Sequence, residues 1–177
     1  MDAFIKYAQI FGPIATALGV FVAIWALRAN HDWNRRNFTA ALIGQWNEKT
    51  SIHRQAIEKI KPGLVDLNKK WTPVEITKAE AENIYTAKAG TDEWLLRFHF
   101  IELLNYFETI ASAYNNKVAD QIMIEESMKG VLVRWHDILV NYIHAVEAHR
   151  GYQPWSPFLT VIDEWKKKTS KPRRPAA

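Results

Sequence analysis

The sequence predicts an all-α protein: an N-terminal transmembrane helix, continuous with a long helix, followed by a cytoplasmic bundle of four to five helices. Three observations point there. Residues 10–27 are eighteen consecutive residues without a charge, close to the roughly 20 mainly apolar residues that span a bilayer core. Beyond them, apolar residues recur at steps of three and four, the period of an amphipathic helix. Glycine is scarce, with seven copies against eight tryptophans, which argues against a turn-rich sheet.

The span is bounded by Lys6 and Arg28. Tyr7 and Trp25 stand near its ends, where interfacial aromatics collect, and Pro13 falls in its first turns, where a missing N–H disturbs little. A cleaved signal peptide fits less well, because residues 24–28 lack a small-residue cleavage site. An interfacial helix needs a polar face, and this segment has none. Arg28, Arg35 and Arg36 follow the span, whereas Lys6 precedes it, so the positive-inside rule places the N-terminus outside and the domain in the cytoplasm, at the inner membrane. Ala15, Gly19 and Ala23 recur every four residues, a small-residue packing face suited to a homo-oligomer or to another membrane protein. The domains expected are an anchor over 1–29, a cytoplasmic helical domain over 30–165 and a disordered basic tail over 166–177.

Residues 30–60 hold Phe38, Leu42, Ile43, Trp46, Ile52, Ala56, Ile57 and Ile60 near helical spacing, ahead of a Pro62-Gly63 break. Thr72-Pro73-Val74-Glu75 reads as a helix start, running to about Lys88 before Gly90. Thr91-Asp92-Glu93 opens the next helix, with acids where the dipole favours them. Over residues 93–115, Leu96, Phe100, Leu103, Leu104, Phe107, Ile110, Ala111 and Tyr114 share one face. Asn115-Asn116-Lys117 suits a left-handed helix exit and Asp120 a cap. Over residues 121–150, Ile124, Met128, Val131, Trp135, Ile138, Tyr142 and Ala145 form a seam. Gly151 and Pro154 end it, and residues 155–165 read as a short closing helix.

Charge is uneven. Lys166, Lys167, Lys168, Lys171, Arg173 and Arg174 exceed the chain's net +4, leaving the remainder at −2. Together with Arg28, Arg35 and Arg36, these cations are suited to lipid or nucleic-acid phosphates. No aromatic-studded groove accompanies them, so the nucleic-acid reading is the weaker one.

Catalytic constellations are missing from the sequence. The chain has no cysteine, no phosphate-cradling glycine loop and no nucleophile elbow. Six histidines form no His-Glu-x-x-His pattern, and His144 with Glu147 reverses the di-iron order. A non-enzyme is expected, with no cofactor, no metal and no small-molecule substrate. Asn105 and Glu108 stand out as polar groups on a very apolar helix, and Arg134 and Arg150 are the cations available to them. The four are read as a polar clasp between core helices, or as a ligand site.

The strings Leu104-Asn105-Tyr106-Phe107-Glu108 and Val133-Arg134-Trp135, with Arg150 and the closing Phe158 and Trp165, resemble an uncharacterised bacterial family. That family comprises mostly single-pass membrane proteins and is catalogued as a domain of unknown function. The resemblance covers residues 4–165 and implies an anchor plus a helical domain, with no activity attached. The function expected is therefore a membrane-anchored interaction or regulatory scaffold. A ligand-gated membrane effector of a bacterial defence system is the first alternative, and a membrane-tethered nucleic-acid binder the second.

Overall fold

The computed structural model describes residues 2–64 and 75–170, with side chains over residues 17–64 and 75–168. Five helices make up the described residues: α1 (Asp2–Ile60), α2 (Lys78–Thr86), α3 (Asp92–Asn115), α4 (Gln121–Arg150) and α5 (Ser156–Ser170). The all-α expectation holds. α3 is the hub and packs against all four other helices, because it is the helix with the widest apolar face. Leu96, Phe100, Leu103, Leu104, Phe107, Ile110, Ala111 and Tyr114 are all buried, and Tyr106 and Ala113 join them. Burying each large apolar side chain contributes about 1.5–3 kcal/mol, so this face dominates the assembly.

Aromatic contacts set the alignment of the helices. Phe100 meets Tyr142 and Phe107 meets Trp135, so α3 and α4 run antiparallel. The Tyr106 hydroxyl donates to the Leu42 carbonyl at 2.6 Å and His53 faces His99, which runs α1 antiparallel to α3 as well. On α1, Leu42 and Ile57 are buried and Trp46 packs against the core. Phe38 and Ile52, expected on that face, are exposed. Ile52 lies about 200° round the helix from the buried Thr50, and Phe38 about 100° round from the buried Thr39, at the margin of the packed face.

Helix starts and stops follow local chemistry. Thr91 caps α3 through the Trp94 N–H and Asp120 caps α4 through the Ile122 and Met123 N–H groups. Gly151 ends α4 at φ 70°, in the left-handed region, where a side chain would be strained. The start expected at Thr72 falls on residues outside the described ones as far as Val74. α2 instead begins after Thr77, which forms a reciprocal capping box with Glu80. The same Thr-x-x-Glu spacing occurs twice within nine residues, so the pattern alone was ambiguous. Ile76, just ahead, is buried; its N–H donates to the Ile138 carbonyl, and its own carbonyl accepts from the Asn141 amide.

One expectation needs correction: the tail expected to be disordered from Lys166 is helical as far as Ser170, where α5 ends. The reason is pairing: the Lys166 ammonium reaches Asp137 at 2.6 Å, and Lys168 pairs with Glu164 one turn earlier. Lys171, Arg173 and Arg174 lie outside the described residues. Among the described residues no helix is long and apolar enough to cross a membrane. The expected span over residues 10–27 falls partly on residues 10–16, Ala15 included, whose side chains lie outside the description.

Candidate membrane-proximal site

α1 is one uninterrupted helix of 59 residues, and it changes character along its length. Every side chain over residues 17–34 is exposed, on all sides of the helix. Among them are Leu18, Val20, Val22, Ile24, and Phe21, Trp25 and Leu27 at 69%, 66% and 69%. Over residues 17–27 this cylinder has no polar side chain to turn to water and no partner among the described residues. Gly19 and Ala23 lie on it, and a Cβ added at Gly19 would meet nothing within 4 Å. Their smallness therefore serves no contact among the described residues.

Packing begins at Arg35, where the α3–α4 connection docks on α1. The Arg35 guanidinium donates to the Ala119 carbonyl at 2.9 Å, and Arg36 meets the Asp120 carboxylate at 3.3 Å. Thr39 is fully buried; its hydroxyl accepts from the Asp120 N–H at 2.7 Å and donates to the Arg35 carbonyl at 2.7 Å. Asp120 thus joins three jobs: cap of α4, partner of Arg36, and backbone donor to α1. Hydrogen bonds from Met123 and Ile122 N–H groups and the charge of Arg36 hold its carboxyl below the usual range. Of the three arginines read as lipid-facing, Arg35 is taken up in this joint, Arg36 is exposed but paired, and Arg28 stands free of the bundle on the exposed stretch.

Of the four residues read as a clasp, Asn105 and Glu108 meet the start of α5. Glu108 accepts from the Phe158 N–H at 3.0 Å, and Asn105 accepts from the Trp155 indole N–H at 3.0 Å. Trp155 occupies the position before α5 with φ 57°, and its side chain cannot cap a helix. Glu108 supplies from α3 the acceptor that a local serine or aspartate normally would. Burial pushes the Glu108 carboxyl up, against the lowering effect of the Phe158 bond. Arg150 is not a partner: it donates to the Tyr152 hydroxyl. With Phe100 beside Tyr142, Glu108 and Arg150 each lie eight residues beyond that contact in opposite directions, about 24 Å apart along the helices. Arg134 lies beside Trp135, level with Phe107, and so nearer the clasp than Arg150.

At the other end of the bundle, an open cleft of about 340 Å³ is lined by Ile60, Lys61, Glu80, Asn83, Asp92 and Glu93 among others. Lys61 binds Glu80 at 2.6 Å; that bond, with those from Thr77, holds the Glu80 carboxyl down at about 2. Midway, His53 and His99 share an Nδ1–Nδ1 contact of 3.0 Å across α1 and α3. Burial and the neighbouring His53 lower the His99 ring below its usual value. Neither the cleft nor the histidine pair was legible in sequence, because each joins residues from separate helices. Among the described residues no group of three or more histidine and acidic side chains is placed to hold a metal.

The class of protein is thus a helical bundle hung from one long helix. The chain belongs to the DUF4760 family, a domain of unknown function, whose pattern matches residues 13–165. No curated protein and no solved structure matches the chain.

Proposed function

We propose that this protein is a single-pass, membrane-anchored interaction or regulatory scaffold, not an enzyme, whose helical bundle faces the cytoplasm. The observation that carries the reading is the exposed stretch of α1 over residues 17–27, apolar on every side and uncovered by the other described residues. Lipid, or lipid together with a second copy packing on the Gly19 and Ala23 face, covers such a surface where water does not. Arg28 and Arg36, on the bundle side, favour the cytoplasmic orientation. Lys166 and Lys168 are engaged in ion pairs, which weakens the nucleic-acid reading of the tail.

A second reading, an effector in which ligand binding is relayed to the membrane, is favoured by one specific feature. The distal cleft is lined by Ile60 and Lys61, the end of the same helix that leaves the bundle towards the exposed stretch. A ligand there would press on a continuous rod.

The test is fractionation of cells expressing the full chain. The anchored reading expects it in the membrane pellet after alkaline carbonate, with a cysteine introduced at Ala3 labelled by an impermeant maleimide from outside. Release by carbonate rejects the anchor, and labelling only after lysis rejects the orientation. Depolarisation of cells only after addition of a ligand that binds the cleft would transfer the case to the effector.

A further inference from the structure

We propose that the α3–α4 connection is a second membrane contact, a lip that rests in an anionic headgroup layer beside the anchor. The inference rests on the anchored reading of α1. Val118 is 53% exposed and Ile122 71% exposed, flanking the two residues, Ala119 and Asp120, that are pinned to Arg35, Arg36 and Thr39. A large apolar residue on each side of a tightly held joint is not explained by packing inside the bundle.

Height along α1 places this lip near the membrane surface. Arg35 follows Arg28 by seven residues, about 10 Å at helical rise, and the two share one face of the helix. A headgroup layer is roughly 5–8 Å thick on each side of the hydrocarbon. With the hydrocarbon ending near Leu27, Arg35 lies about 12 Å below it, so the top of the bundle sits a few ångströms under that layer, a gap that a lysine side chain spans. Arg28 stands above the lip on the same face, and the exposed Lys117 lies within it. Anionic lipid complements that charge.

The backbone of the lip suits a poorly hydrating environment. From Asn116 to Asp120 every N–H has a partner within the protein: Ser112, Tyr114 and Ala113 carbonyls for the first four, the Thr39 hydroxyl for the last. No donor in that stretch depends on water. Lys117 adopts φ 56° to make the turn, which lets Val118 project outward while Ala119 turns in.

Because the chain contains no cysteine, single-cysteine reporters need no background removal. The full chain, bearing an environment-sensitive fluorophore at V118C, I122C or the distal A89C, is reconstituted into phosphatidylcholine–phosphatidylglycerol vesicles. Nitroxide lipid should quench the labels at 118 and 122 several-fold more than at 89, and aqueous iodide the reverse. Replacing phosphatidylglycerol with phosphatidylcholine should reduce the difference. Equal lipid quenching at all three sites overturns the lip, as does shielding of 118 and 122 from both quenchers, the pattern a second protein copy would produce. Release of the chain by alkaline carbonate rejects the anchored reading instead, whatever the labels report.

Discussion

Glu108 shows how one side chain can finish a helix that its own sequence leaves open. α5 starts behind a tryptophan, whose side chain offers no acceptor for a cap, and the α3 carboxylate substitutes for it. Loss of a cap costs about 1 kcal/mol, so Glu108→Ala should lower stability by about that much, whereas Glu108→Gln, which keeps an acceptor oxygen, should lose clearly less. Burial raises the Glu108 carboxyl, so the folded chain holds this proton more tightly than the unfolded one. The resulting stability is complete below the ordinary glutamate range, about 4.3, and is lost as pH rises through the raised folded value. Denaturant unfolding at several pH values checks both points: Glu108→Gln should abolish that loss, and an unchanged profile would mean that another carboxyl carries it.

At the scale of elements, α1 is two functional pieces made of one helix. Residues 17–34 are exposed, while Thr39, Leu42, Trp46, Thr50 and Ile57 are in the wall of the bundle. A proline inside a helix costs about 3 kcal/mol locally, yet Asn30→Pro lies where no tertiary contact depends on helix continuity. The bundle should therefore unfold at an unchanged midpoint. Spin labels at Val22 and Glu48 should report a broadened distance distribution, the sign of a broken rod. A fall in midpoint comparable to that of a core substitution would show that the exposed and packed pieces form one cooperative unit.

For the whole molecule, the division between the buried core and the exposed start of α1 makes a simple demand. All buried side chains described lie from Thr39 onward, and the joint that closes the top of the bundle starts at Arg35. A chain of residues 33–170 should consequently stay in solution without detergent and unfold in one transition, followed by circular dichroism. The full chain should require detergent or lipid. Aggregation of the shortened chain would place part of the core in the segment removed.

Sequence by itself determined the all-α class, the α3 and α4 seams, the caps at Thr91 and Asp120, and the break after α1. Those features depend on neighbours three or four residues apart, so periodicity and capping chemistry reveal them. It also singled out Asn105 and Glu108, since polar groups on an apolar face must find partners. Which partners they find was a tertiary matter: α5 rather than Arg150, because antiparallel packing of α3 and α4 carries Arg150 to the far end. Only the folded chain showed Arg35 spent on a joint, Lys166 held by Asp137, and Val118 and Ile122 left bare. Charge and hydropathy say what a side chain can do; the packing of distant helices decides which surface it is free to meet.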